Sequence, residues 1–573
     1  MSAVSQARPP GRLTPWEIAL TASLAAVVLL GALLWLWGGV AGLLFGDGWP
    51  EASVTEMGRV VWRLPSRLDD PAAAWPSNVA RELPGAIGFY VSLALLLVLL
   101  AGLSVLVVRL WRRHGPSRAA SRSRRASTAT WARGAELRPL TVRAPVSGRL
   151  TLGRIGTRLI AAEPRQSVIV VAPTQSLKTT GLAIPAVLEW EGPVVAASVK
   201  TDLLRDTLAR RRAAGEVLIY DPTGSTGIPG SGWSPLSGCR TWGGAQRTAT
   251  WLTTSAQPVG GSLADADFWY SAAAKLLAPL LFAAASSERP MADVVRWIDT
   301  QEERQVQAAL ELAGDESALI AAEASWRRDD RQRSSIYTTA ETVLAAYADP
   351  GVTASADTCE ITPARLLDGG AHTLYVCAPA HEQQRLRPLF ATLLHSVVTA
   401  VFERASRAGA PLDPPLLLVL DEAANIAPLR DLDTLASTAA GQGIQLVSVF
   451  QDLAQVRERW GVRAGSIVNN HRARIIGSGI ADPETLDYVG RVLGDAEVRQ
   501  VSSTAAADGQ GSTTESSGFR ALAPANVLRE GRPGRAVLVY GHLPPAELEL
   551  RPWFADRSLR RLAAGDAPRK SVA

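Results

Sequence analysis

Lys178 and Thr179 close the stretch "APTQSLKTTG" (172–181), which follows the apolar run "SVIVV". A lysine followed by a hydroxyl, soon after a strand, is part of the phosphate-cradling pattern G-x-x-x-x-G-K-[ST]. In such a loop, backbone N–H groups wrap the phosphates at a helix N-terminus. The lysine reaches the β- and γ-phosphates, and the hydroxyl binds magnesium. Ala172 and Leu177 stand where the two glycines belong. The segment "TTGLAIPAVLEW" reads as the helix that must follow. The nucleotide-binding residues expected are Ala172, Pro173, Thr174, Gln175, Ser176, Leu177, Lys178, Thr179 and Thr180. The plain alternative is a surface loop that happens to end in Lys-Thr. Composition weighs against it. The chain has four lysines against 55 arginines, so a lysine kept at 178 suggests a site that needs a compact ammonium rather than a planar fork.

A second pair of groups fits the same chemistry. "PPLLLVLDEAANIAPL" is an apolar strand ending in Asp421 and Glu422. An acid at the end of such a strand can hold magnesium, and a second acid beside it can deprotonate an attacking water. Asp421 and Thr179 are the expected metal residues, and Glu422 the expected base. Strand-end acids also cap helices, but an Asp-Glu pair downstream of a Lys-Thr loop is a specific combination. "IQLVSVF" ends in Gln451, whose side chain could touch the γ-phosphate or the water. The catalytic set is then Glu422, Lys178 and Gln451, with ATP and Mg as cofactors. Cys239, Cys359 and Cys377 lie far apart without metal-ligand spacing, and the six histidines do not cluster.

These residues need strands to carry them. Apolar runs at 167–172, 192–199, 216–221, 372–378, 415–421, 444–450 and 473–479 are continuous rather than alternating. Continuous runs fit strands covered on both faces, hence a parallel α/β sheet. Helical stretches at 383–407 and 429–440 lie between them. No strand-like run occurs from about 265 to 350, which predicts an all-helical insertion, serving partner recognition or, as the plain alternative, a structural lid. "SSTAAADGQGSTTESSG" (502–518) is small and polar and is expected to be a mobile loop. "RAVLVYG" and "LELRPW" predict a closing pair of strands.

Two segments near the N-terminus, 18–46 and 83–108, carry no charge. Each exceeds the roughly 20 residues needed to cross a bilayer. The first is too long for a signal-peptide apolar region of about 7–15 residues. Residues 109–134 hold eight arginines and no acid, whereas the loop 47–82 holds four arginines and six acids. The positive-inside bias puts both termini and the large domain in the cytoplasm of a multi-pass bacterial plasma-membrane protein. The chain's net charge of +5 comes from that juxtamembrane segment: from residue 135 onward there are 45 basic and 47 acidic groups. The basic pI is therefore a lipid-surface feature and no argument for nucleic-acid binding.

Taken together, the two N-terminal helices, "VAPTQSLKTTGLAIPAVLEWEGPVVAASVKTDLL", "LLLVLDEAANIAPL" and "GIQLVSVFQDLAQVRERWG" resemble the type IV coupling proteins of the TraG/TraD family, over about residues 15–555. The resemblance implies a RecA-like P-loop NTPase domain, a homo-hexamer around a channel, and a DNA-translocating motor. The implied partners are a relaxase with its single-stranded DNA, type IV secretion channel proteins and membrane lipids. The implied organisation is a membrane anchor (1–110), a basic flexible linker (111–135), the nucleotide domain (136–264 and 351–560), the helical insertion (265–350) and a disordered tail (561–573). Two departures stand out. Leu177 predicts weakened nucleotide binding. Gln442 occupies the neighbourhood where the family places an arginine acting on the adjacent subunit; Arg457, Arg459 and Arg472 are the candidates to replace it. Alternative readings are a chromosome-segregation pump, a coupling ATPase for protein effectors, or a scaffold that lost hydrolysis. The pump would usually carry more membrane helices and a DNA-reading C-terminal domain.

Overall fold

The computed structural model describes residues 15–114, 128–258, 263–426, 428–505 and 511–566. The chain forms two compact units, 1–125 and 126–573. In the first, the helices Pro15–Phe45 and Ala86–His114 contain most of the two uncharged segments. The loop between them folds onto a small core of its own. Trp37 donates from Nε1 to the Phe89 carbonyl (2.8 Å) and stands edge-on to the Phe89 ring, whose other neighbour is Trp75. A Cβ at Gly39 would lie 2.2 Å from the Trp49 ring, so only glycine lets that ring close on the helix. Among the described residues, Ala86–Ser104, Ala266–Ser286 and Gln383–Ala408 are long and apolar enough to cross a membrane. The last two lie more than half buried within the second unit.

Among the described residues, the second unit is built on fourteen strands. They are β1 (Thr141–Val142), β2 (Thr151–Ile155), β3 (Arg158–Ala161), β4 (Val168–Val171), β5 (Val194–Ser198), β6 (Val217–Tyr220) and β7 (Thr373–Cys377). The rest are β8 (Leu416–Leu420), β9 (Ile444–Phe450), β10 (Ala473–Gly477), β11 (Asp495–Ala505), β12 (Gly511–Ala521), β13 (Arg535–Tyr540) and β14 (Ala546–Glu549). Twelve form one sheet, in the order β1-β3-β2-β14-β13-β10-β4-β9-β8-β5-β7-β6. The seven apolar runs read from the sequence are its parallel half, β10 to β6. Their continuous Val, Ile and Leu have the expected cause: both faces are covered, and nearly every residue is buried. The closing pair, β13 and β14, is antiparallel and extends the sheet beyond β10.

Helices occupy the chain from Trp242 to Leu344, starting earlier than 265. Leu276, Trp297 and Tyr337 from these helices belong to the same apolar core as Ile169 and Val171 of β4 and Phe390 of the helix Gln383–Ala408.

Three expectations change. The stretch 502–518 is no loop over its described part: residues 502–505 and 511–518 pair in the antiparallel ribbon β11–β12. A ribbon needs backbone pairing rather than apolar side chains, and threonine favours strands, so polar composition alone misleads. The segment expected as a flexible linker, 111–135, is ordered at both ends. Helix runs to His114, and 128–135 is tied down by Ala129 N–H to Asp495 O (2.8 Å) and Ala132 N–H to Pro545 O (2.7 Å), with Trp131 packed on the core. Residues 115–127 lie outside the described residues. The start of the expected disordered tail is ordered: residues 561–563 belong to the helix Arg557–Ala563, capped by Asp556, and residues 567–573 lie outside the described residues.

Candidate functional site

β4, β8 and β9 set the site. β9 lies between the other two, with Val171 beside Phe450 and Leu420 beside Ser448. The three strands are parallel, so the residues that follow each emerge at one edge: 172–178 after β4, Asp421 and Glu422 after β8, and Gln451 after β9. In an open parallel sheet, ligands bind at this carboxyl edge.

The loop has the geometry of a phosphate cradle despite its missing glycines. Gln175 (φ 62°) and Leu177 (φ 66°) are both left-handed, a conformation that costs an ordinary residue about 1–2 kcal/mol. Room for the two replacements comes from elsewhere in the fold. A Cβ at Gly477, on neighbouring β10, would lie 2.6 Å from the Ala172 Cβ. A Cβ at Gly534 would lie 3.3 Å from Leu177 Cδ1. Each side chain added to the loop thus faces a glycine on a partner segment.

The turn after the loop, Thr179–Ala183, is wound in π register before the helix Ile184–Glu189. The carbonyls of Thr180 and Gly181 there accept from the N–H groups of Trp553 (3.0 Å) and Arg551 (3.1 Å). Gly181 is required by this approach, because a Cβ would meet Leu550 Cβ at 2.9 Å. Arg551 is buried and pairs with Glu189 (2.8 Å), at the end of that helix, and with Asp556 (3.1 Å). Burial raises the Glu189 pKa against the opposing pull of Arg551.

Thr179, Lys178, Asp421 and Glu422 converge. Thr179 Oγ1 donates to the Asp421 carboxylate at 3.1–3.2 Å, and Ser198 Oγ at the end of β5 donates to it at 3.1 Å. Asp421 is 1% exposed, and burial raises its pKa to about 6, opposed by those two hydroxyls. Lys178 is also buried, and its ammonium donates to the carbonyls of Ala172 (3.1 Å) and Pro173 (3.3 Å). Burial lowers its pKa, while Asp421 and Glu422 raise it. Glu422 is 9% exposed and left-handed at φ 59°. Strain of this kind persists only where the surroundings enforce it, and it clusters at functional sites. Gln451 is half-buried beside them.

Ser198, Lys200 and Gly181 join the site unannounced by motif. Lys200 follows Ser198 and bonds to it through its backbone N–H (3.2 Å), and its charge is among those lowering the Lys178 pKa. The lysine scarcity that singled out Lys178 applies equally to Lys200. Of the candidate arginines, Arg457 and Arg459 ride the helix Leu453–Trp460 at the site's edge of the sheet. Arg457 pairs with Glu484, and burial lowers the Arg459 pKa to about 10. Arg472 precedes β10, and Gln442 precedes β9, so both lie at the opposite edge. Arg472 pairs there with Glu163 (2.9 Å).

This is the arrangement of a P-loop α/β nucleotide-binding fold. The family of the type IV secretory system conjugative DNA transfer proteins matches residues 131–565, and the chain belongs to it. The conjugal transfer protein TraG of Agrobacterium fabrum is 28% identical over 344 residues, 58% of this chain and 51% of that protein. The chain thus spans about half the length of that relative. The protein VirD4 of the same organism is 24% identical over 457 residues, 76% of this chain and 67% of its own. Among solved structures, the bacterial conjugative coupling protein TrwBΔN70 in its unbound form superposes with a TM-score of 0.57 at 19% identity, covering 74% of this chain and 92% of that one. TrwB in complex with ADP and Mg2+ gives 0.55 at 19% identity, covering 74% and 93%. The shared fold is the α/β P-loop architecture.

The buried acid has a consequence for stability. An Asp421 pKa of about 6, against 3.8 for the free side chain, means that the folded chain holds a proton that the unfolded chain releases between those values. Stability from this group is full below about pH 4 and is lost as pH rises through about 6. Two units correspond to about 3 kcal/mol at neutral pH. In chelator, Asp421→Asn should unfold at higher urea than the parent at pH 7.5, with the gap narrowing below pH 6 and closing below about pH 4. A pH-independent gap would contradict this.

Proposed function

We propose that this chain is a membrane-anchored coupling ATPase of a conjugative type IV secretion system. It receives a relaxase–DNA complex and drives single-stranded DNA to the channel by ATP hydrolysis. The observation that carries the reading is the meeting of Lys178, Thr179, Asp421 and Glu422 at one sheet edge, in a chain of the conjugative DNA transfer family.

Magnesium and nucleotide fit the residues present. The Thr179 hydroxyl and the Asp421 carboxylate are hard oxygen donors, as magnesium requires alongside phosphates and water. Asp421 is buried and has no ion pair among the described residues, which is the electrostatic condition a divalent cation relieves. A magnesium ion held there would neutralise charge on the phosphates of a bound ATP. The backbone N–H groups of 174–179 and the Lys178 ammonium hold the phosphates. Glu422 takes the proton of the attacking water, and the Gln451 side chain orients that water. TrwB in complex with a non-hydrolysable ATP analogue has the same fold at 20% identity, which supports nucleotide as the ligand.

Assembly as a homo-hexamer would bring a neighbour's arginine to this edge. Arg457 and Arg459 are favoured over Arg472 by their position. The helices from Trp242 to Leu344 contribute no phosphate or magnesium group and are the proposed recruiting surface. Their share of the common core makes surface substitution, rather than deletion, the suitable probe.

The base assignment is tested directly. Glu422→Gln should abolish ATP hydrolysis and plasmid transfer while leaving ATP binding largely intact. Lys178→Ala should weaken binding itself, since it removes a charge partner of the phosphates. Parental hydrolysis by Glu422→Gln would refute the role of Glu422.

Leu177 supports a functional loop rather than a damaged one. Its left-handed turn is already in place in the fold, so its cost falls on folding rather than on binding. Leu177→Gly should therefore change nucleotide affinity by less than about threefold, or roughly 0.7 kcal/mol. A tenfold gain in a nucleotide titration would instead mark Leu177 as a defect of the site.

Both long N-terminal helices are proposed to cross the plasma membrane, with the loop 47–82 outside and the second unit cytoplasmic. The support is the arginine excess after the second helix. Reporter fusions should read outside at residue 65 and inside at residue 140; the reverse pattern would overturn this topology.

A further inference from the structure

Glu422 does not stand alone at the end of β8. Its Oε2 accepts a hydrogen bond from Asn425 Nδ2 at 3.2 Å. Asn425 Oδ1 accepts from Gln455 Nε2 at 3.5 Å. Gln455 Oε1 accepts from the main-chain N–H of Gln451 at 3.3 Å. Gln455 is itself held at the start of its helix, where its N–H donates to Asp452 Oδ1 at 2.7 Å. A continuous path of three hydrogen bonds thus joins the Glu422 carboxylate to the backbone at the end of β9.

The two ends of the path dictate its direction. A carboxylate can only accept, and a backbone N–H can only donate. Asn425 must therefore turn its amide N–H toward Glu422 and its carbonyl toward Gln455. Gln455 must turn its N–H toward Asn425 and its carbonyl toward Gln451. Flipping either amide breaks two of the three bonds, so the network has one self-consistent arrangement. It also holds a residue whose backbone is left-handed, and it acts on the acid of the site that Thr179 and Ser198 do not hold. Asp421 is already fixed by Thr179 and Ser198.

We propose that Asn425 and Gln455 are positioning residues that keep the Glu422 carboxylate in register with the Gln451 backbone. A displacement of the Gln451 segment is then passed to the carboxylate that faces the water. Neither residue touches the nucleotide in this scheme; both act through Glu422. The inference rests on the reading of Glu422 as the water-activating base.

The full-length protein in detergent, with magnesium and ATP, provides the test. Asn425→Ala should lower kcat about tenfold, the scale of one hydrogen bond to a charged group, with the Kd for ATP unchanged. Gln455→Ala should lower kcat less, also without loss of ATP binding. Because Gln455 reaches Glu422 through Asn425, the two effects should overlap, and the double variant should be slowed by clearly less than their product. Parental kcat in both single variants would overturn the proposal, as would a double variant slowed by the product of the two effects. Loss of ATP binding in both single variants would also overturn it, because the two residues would then be structural. Glu422→Gln, run alongside, separates the two levels. If it hydrolyses ATP at the parental rate, the base assignment fails. If it is inactive while Asn425→Ala and Gln455→Ala are parental, only the positioning role fails.

Discussion

The hydrogen bond between Thr179 and Asp421 joins the loop after β4 to the acid after β8, although a whole strand separates the two. β9 is threaded between them, and it contributes Gln451 at the same edge. Burying Asp421 between two hydroxyls is costly, as its raised pKa of about 6 records. Much of the rest of the sheet can be understood as the frame that makes this arrangement possible. The strands are apolar on both faces, the helices cover them, and the polar groups of the site stand at the carboxyl edge.

The loop at that edge shows how a pattern can be altered and its geometry kept. A glycine in a phosphate loop serves two ends: freedom to be left-handed, and absence of a side chain. Here the first is met at a cost by Gln175 and Leu177 themselves. The second is met by Gly477 and Gly534, which lie on other segments and leave space for Ala172 and Leu177. The C-terminal segment adds a further constraint. Its N–H groups bind the carbonyls of the π turn, and Arg551 ties it to the end of the helix that the loop begins. The phosphate loop is consequently built from residues spread over more than 350 positions of chain.

Particular elements show how much of this was legible beforehand. The seven central strands, the helix Gln383–Ala408 and the closing strands were visible because burial on both faces imposes continuous apolar runs. Lys178, Thr179, Asp421 and Glu422 were visible because their types and order are chemically specific. The ribbon β11–β12 was hidden because backbone pairing leaves little mark on a polar sequence. The short strands β1–β3 were hidden as well: they are brief, and they add to an edge formed by β14, from the far end of the chain.

By itself, the sequence determined the kind of sheet, the positions of its apolar strands along the chain, the long apolar N-terminal segments and the chemical identity of the four central site residues. These follow from local properties: hydrophobic runs, charge counts and neighbouring residue types. Only the tertiary structure decided that β9 lies between β4 and β8, that Gly477 and Gly534 face the loop, and that Ser198 shares Asp421 with Thr179. It alone placed Asn425 and Gln455 between Glu422 and Gln451. Such contacts join residues distant in the chain, and no local pattern encodes them. They arise when the strands assemble and each buried polar group must find its partner.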